Sequence, residues 1–264
     1  MIKIRTAKEI ELLRENALLV SKTLAEVGRH IAPGVSTKTL DRIAETFIRD
    51  HGAEPGFLGY QVDNKRFPAT LCISINDTVV HGIPSDEVLK EGDLVSVDCG
   101  TRYKGFYGDS AYTFGVGELS DKNKKLLRVT HDALFKGIEQ ATSGRRVGDI
   151  SYSVQSYVEQ FGYSVVREMV GHGIGTKMHE RPDVPNFGHR GRGKLLSEGM
   201  VICIEPMINA GEKGVYLDDD DWALKTADHK NSAHFELTLV VRAGKPELLS
   251  TFNYIDEYYS KYQT

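Results

Sequence analysis

Five side chains able to hold metal ions follow one another along the chain: Asp98, Asp109, His172, Glu205 and Glu236. Four are carboxylates set in apolar stretches. Asp98 ends LVSVD, Asp109 lies in FYGDSAYTF, Glu205 ends VICIE and Glu236 interrupts HFELTLVV. The first two stretches read as a hairpin turning at Tyr103-Lys104. That turn would set Asp98 directly opposite Asp109, with Cβ atoms about 4.5–5.5 Å apart. Ionised carboxylates that close repel unless one is protonated or a cation lies between them. For these two alone, a solvent-facing pair on an exposed strand is the plainer alternative. Glu205 and Glu236 shift the balance, because a glutamate in a buried strand is rare unless paired or metal-bound. No Lys or Arg within these stretches supplies the positive charge. Hard carboxylate oxygens and one imidazole, from His172 in the Gly-rich VGHGIG, suit a pair of divalent cations. Such a pair activates water and polarises a carbonyl, so the implied chemistry is hydrolysis.

The elements that must carry these residues are legible from periodicity. Ile10, Leu13, Ala17, Val20, Leu24 and Val27 predict a helix over 6–30, stopped by Pro33-Gly34. Ser36 caps a second helix that runs to Gly52, with Leu40, Ile43, Ala44, Phe47 and Ile48 on one face. Strands are expected over 70–75, 93–98 and 107–114. Ser120 caps a third helix, and a fourth covers 147–161. The acidic run Asp218–Asp221 reads as a solvated turn.

An internal repeat links the two parts of the chain. Leu40, Ala44, Phe47, Ile48 and Gly52 match Ile150, Val154, Tyr157, Val158 and Gly162. VVHGIP resembles VGHGIG, which sets His81 over His172, and EGDLVSVD resembles EGMVICIE, which sets Asp98 over Glu205. Two similar halves, about 1–115 and 116–250, would pack about a pseudo-two-fold axis within one domain spanning 1–264. Carboxylates from both would converge there.

Composition leaves room for this. The 264 residues carry 33 Lys and Arg against 37 Asp and Glu, so no global positive charge recruits nucleic acid or an anionic membrane. The opening MIKIRTAKEIELLREN lacks the apolar centre of a secretory signal. Three widely spaced cysteines, Cys72, Cys99 and Cys203, fit a reducing cytoplasm and read as small core residues.

With the ligand pattern framed by NDTVVHGIP, VDCGTRYKGFYGDSAYTF, GHGIGTKMHERP, MVICIEPM and HFELTLVV, the chain resembles the type I methionine aminopeptidases of the pita-bread metallopeptidase family, in their short bacterial form. The resemblance runs from about residue 8 to 241. It implies an α+β fold of two related antiparallel half-sheets covered by helices, with the metal site between them. It implies two divalent metal ions (Co, Mn, Fe or Zn). Asp98 would chelate one, His172 and Glu205 the other, and Asp109 and Glu236 would bridge them. Glu205 would also shuttle a proton. His81 would meet the scissile amide or its leaving nitrogen, and His179 the developing oxyanion. Phe57, Tyr60, Phe67, Cys72, Met178 and Trp222 would form the methionine pocket. A monovalent cation (Na or K) would sit near Asn76, Thr78 and Ser232.

The substrate would be the N-terminal methionine of nascent polypeptides, near the ribosome and in the cytoplasm, with a small second residue. A monomer is implied. Three features depart from the usual pattern: a longer 61–70 loop, Met178 where an aromatic is common, and His234 in place of a glutamine. They bear on side-chain preference rather than on the reaction. An Xaa-Pro peptidase is a second enzyme reading, although such enzymes carry a domain ahead of the repeats. A non-catalytic peptide-binding or ribosome-associated module is a third, and it predicts a broken ligand set.

Overall fold

The computed structural model describes residues 2–260. Helix starts follow their caps. Thr6 accepts from the Glu9 amide, and the Glu9 carboxylate accepts from the Thr6 amide, which closes a capping box at the head of α1 (Ala7–Gly28). Ser36 and Ser120 cap α2 (Thr37–Asp50) and α3 (Asp121–Ile138). Asp149 accepts from the Arg146 amide where α4 (Val147–Glu159) begins, and α5 (Asn253–Ser260) ends the described chain. Leu13, Ala17, Val20, Leu24 and Val27 are buried on one side of α1, as the spacing predicts. Alpha-1 lies hard against the long hairpin: a Cβ at Gly108 would come within 2.7 Å of the Asn16 backbone. No described helix is long and apolar enough to cross a membrane.

Each half is an antiparallel sheet. In the first, strand Leu94–Tyr103 pairs with Phe106–Gly115 on one side and with Leu71–Ile75 and Glu54–Pro55 on the other. In the second, Val201–Ile204 pairs with Leu237–Val240 and Gly171–Gly173. Its continuation, Met207–Asn209, pairs with Ser232–His234 and Ser164–Val165. The registers repeat. Glu54↔Arg102 and Pro55↔Thr101 in one half recur as Ser164↔Asn209 and Val165↔Ile208 in the other, which keeps Asp98 over Glu205.

The halves meet where Ala111 bridges Glu236, whose amide donates to the Ala111 carbonyl at 2.9 Å. Matching hydrogen bonds flank this bridge. Thr113 Oγ1 donates to the His234 carbonyl at 2.7 Å, and Thr238 Oγ1 donates to the Asp109 carbonyl at 2.8 Å. The pseudo-two-fold therefore relates Ala111 to Glu236, Asp109 to His234 and Thr113 to Thr238.

Three expectations are corrected. The hairpin turns at Lys104-Gly105, both with positive φ (51° and 80°), closed by Tyr103↔Phe106. Two left-handed residues in a two-residue loop match the twist of the strands, and glycine at the second makes that turn accessible. Asp98 consequently opposes Ala111, and Asp109 opposes Gly100. The two carboxylates are diagonal neighbours on one face rather than directly opposed. The repeat also places His172 differently. Ile75↔Val95 corresponds to Gly173↔Ile202, so His172 falls on Ser74, and the same count carries His81 onto His179. Sequence similarity around the two HGI motifs misled, because strand register rather than local identity defines the symmetry. Lastly, the 61–70 segment contains a small hairpin, Gln61–Val62 with Lys65–Arg66. The acidic turn is exposed as expected, with Asp218 paired to Lys225 and Asp221 to Lys65.

Candidate active site

One cavity opens between the halves. All five expected ligands line it, together with His81 and His179. Among the described residues, none of those lining it is Lys or Arg. Carboxylate oxygens of Asp98, Asp109 and Glu236 lie within 4.8 Å of one another. One oxygen of each, Asp98 Oδ1, Asp109 Oδ1 and Glu236 Oε1, is buried without a hydrogen-bond partner. Leaving such atoms unpaired costs about 1–3 kcal/mol each, and more if charged. Burial and mutual repulsion raise the carboxyl pKa values. Burial lifts Asp98 to about 7, and Asp109, Glu205 and Glu236 stand well above the ordinary carboxylate range. A divalent cation among these oxygens would remove both the repulsion and the orphaned acceptors, so the donor set fits hard metal ions.

His172 is oriented for the same task. Its flanking glycines sit in the middle of the sheet, where a Cβ on Gly171 would come within 2.4 Å of the Cys203 carbonyl oxygen and one on Gly173 within 2.5 Å of that of Arg181. The Nδ1–H donates to the Gly173 carbonyl at 3.0 Å, which fixes the tautomer. Nε2 then faces Glu205 Oε1 at 3.5 Å and Asp109 Oδ2 at 3.7 Å. Burial lowers its pKa to about 3, which keeps the nitrogen lone pair free.

His81 stands outside these groups, whereas a His179 ring nitrogen lies within 4.8 Å of an Asp109 oxygen and a His172 nitrogen, at the edge of the cluster. His81 has φ +61°, a left-handed conformation that an ordinary residue adopts at a cost of about 1–3 kcal/mol and that is concentrated at functional sites. Burial lowers its pKa to about 4. The His179 Nδ1 and the Tyr60 hydroxyl share a hydrogen bond at 2.6 Å, and the His179 ring lies edge-on to that of His172.

Of the expected pocket residues, Phe57, Tyr60, Phe67, Cys72 and Trp222 line the cavity, and Phe67 meets Trp222 edge-to-face at 5.2 Å. Met178 does not line it. Its Cε fills the slot left by Gly56 and Gly100 behind Phe57, so it supports the wall from within the core. Opposite, Met169, Met207 and His234 line the cavity. Met207 was findable, two residues past Glu205 on the same face of a continuing strand. Met169 carries no such signal. Around the expected monovalent site, the Asn76 carbonyl accepts from the Ser232 amide at 2.8 Å, and Thr78 pairs with Lys225 in a neighbouring strand.

Known proteins share this fold. The model of metallopeptidase family M24 matches residues 11–243. The methionine aminopeptidase of Clostridium perfringens is 49% identical over 95% of this chain and 99% of its own. Methionine aminopeptidase 1 of Bacillus subtilis is 46% identical over 91% and 96%. The crystal structure of methionine aminopeptidase from Rickettsia prowazekii superposes with a TM-score of 0.92 at 42% identity, covering 95% of this chain and 100% of that one. The pita-bread expectation is met.

Proposed function

The chain belongs to metallopeptidase family M24, and from that premise we propose that it removes the N-terminal methionine from polypeptides whose second residue is small. The observation that carries this is the set of orphaned carboxylate oxygens from both halves, gathered beside His172 in a cavity with one apolar, aromatic wall. Asp98, Asp109, His172, Glu205 and Glu236 would hold two divalent ions (Co, Mn, Fe or Zn), which supply an activated water and a polarised scissile carbonyl at neutral pH.

The chain's own residues do the rest. Phe57, Phe67, Cys72 and Trp222 bury the methionine side chain, whose thioether packs well on aromatic edges. The acidic cavity, with the exposed Asp183 and Glu168 among its lining residues, attracts a free α-ammonium and so selects a chain terminus. With the Tyr60 hydroxyl as the donor of their shared hydrogen bond, His179 would present Nε2–H to the oxygen on which charge develops. Glu205 takes the proton released in the attack, and His81 serves the leaving nitrogen. His81 and the carboxylates crowd the space beyond the bond, which sets the limit on the second residue.

The whole of 1–264 acts as one catalytic domain. A monomer working in the cytoplasm on nascent chains near the ribosome fits this role, and a Na or K ion near Asn76, Thr78 and Ser232 would brace the loop beneath His81. Incubation of purified protein with Met-Gly-Met-Met and Met-Leu-Met-Met plus Mn²⁺ tests the reading. Cleavage of the first only is expected. Equal cleavage refutes the size limit, and no cleavage of either refutes the activity.

A further inference from the structure

His234 is the one imidazole in the cavity with no role so far. It is 1% exposed, and its Nε2 is buried with no hydrogen-bond partner. The nitrogen points at Glu205 Oε2, 3.8 Å away, while His172 Nε2 faces the other oxygen, Oε1, at 3.5 Å. Glu205 is thus flanked by two imidazoles, one on each oxygen. The backbone of His234 is held on the pseudo-axis: its amide donates to Thr113 Oγ1 at 2.9 Å, and its carbonyl accepts from the same hydroxyl. The axis relates His234 to Asp109, so the position from which one half sends a carboxylate into the cluster sends an imidazole from the other.

We propose that His234 is a positioning residue for Glu205, donating its Nε2–H to Oε2 so that Oε1, beside His172, is turned toward the cations. A 3.8 Å separation exceeds hydrogen-bond range, and a small rotation of either side chain closes it. Histidine is suited because it reaches Oε2 from the strand two residues before Glu236 and carries a donor on a rigid ring. Outer-shell donors of this kind fix the orientation and basicity of a ligand, and their loss typically lowers metal affinity by about 10–100-fold.

This inference rests on the proposed metal-dependent activity, and its test separates the two. Metal-stripped wild type, His234→Leu and His234→Gln are titrated with Mn²⁺ by calorimetry, and metal-saturated samples are assayed on Met-Gly-Met-Met. Leucine fills the space without a donor, and glutamine restores an N–H. His234→Leu is expected to bind Mn²⁺ about 10–100-fold more weakly, and at saturating metal to lose kcat with KM changed less than about threefold. His234→Gln is expected to remain within about threefold of wild type in both. If His234→Leu does not fold, judged by its melting transition, His234→Asn, whose shorter amide falls short of Oε2, takes its place with the same expectation. Wild-type affinity in the donor-less variant overturns the proposal, as does a folded His234→Gln as impaired as His234→Leu. Should wild type bind Mn²⁺ yet cleave nothing, the activity reading fails, while the affinities still decide the role of His234.

Discussion

The two halves share a frame and divide the chemistry unequally. Asp98 and Glu205 are like for like, each an acid on the central strand of its half. At three further positions the axis pairs unlike residues: Ala111 with Glu236, Asp109 with His234, Ser74 with His172. A fully symmetric site would have doubled every acid and raised the repulsion already visible in their pKa values. One half instead offers a methyl (Ala111) or a hydroxyl (Ser74) where the other offers a ligand, and His234 offers an imidazole opposite Asp109, which leaves an asymmetric cluster beside an open cavity. His81 and His179 are also alike, and they flank the carboxylates from opposite halves, His179 within 4.8 Å of Asp109 and His172. The difference teaches that a duplicated sheet supplies position, while substitution at axis-related sites supplies function.

The sharpest break between the halves should come from a cluster acid. Asp109→Asn is expected to lose bound metal and to cut kcat/KM by on the order of 10³-fold, about 4 kcal/mol of transition-state stabilisation. Metal content by atomic absorption and peptide assay check it, and retention of both would show that the two acids need no cation. Next come the axis-related imidazoles. His81→Ala and His179→Ala should each keep their metal and lose roughly 10²-fold in kcat. Loss of metal from either would move it into the ligand cluster and erase the division drawn here. Trp222→Ala, which opens one wall, should raise KM about tenfold with little change in kcat. An unchanged KM would remove Trp222 from the pocket.

The smallest effect is on stability against pH. In metal-stripped protein, Asp98 with a pKa of about 7 and the still more perturbed Asp109, Glu205 and Glu236 bind protons more tightly folded than unfolded. Their protonation favours the folded state, so stability is lost as pH rises through the folded values. His81, His172 and His234, lowered to about 4, 3 and 3, act in the opposite sense, but only below about pH 6.5. Above that the acids act alone. Tm of the stripped protein should fall between pH 6.5 and 8 by a few degrees, with roughly 2–4 °C for each 1 kcal/mol at this length. Added Mn²⁺ should flatten the slope. A stripped protein that gains stability over this range would contradict the burial of repelling acids.

Much of this was legible in the chain. Helical periodicity and Ser and Thr caps placed four helices to within a few residues. Acids inside apolar strands marked the centre, because burying charge without a partner is too costly to occur by accident. Hairpin register was not legible: Tyr103-Lys104 and Lys104-Gly105 differ by one residue, and only the positive φ values at Lys104 and Gly105 separate them. His81 and His172 looked like twins because HGI recurs, whereas symmetry follows backbone pairing. Met178 read as a pocket residue, yet the slot between Gly56 and Gly100 that draws it behind Phe57 forms only when distant strands meet. His234 was visible as an unusual residue two places before Glu236, but its aim at Glu205 depends on the bridge between the halves.

Anomalous diffraction from crystals soaked in Mn²⁺ would probe the central claim without intermediaries. Two peaks between the halves are expected, each bonded to oxygens drawn from both, with Asp98 and Glu205 at opposite ends. Peaks confined to one half, or none while the carboxylates stay clustered, would mean that something other than divalent cations holds these acids together.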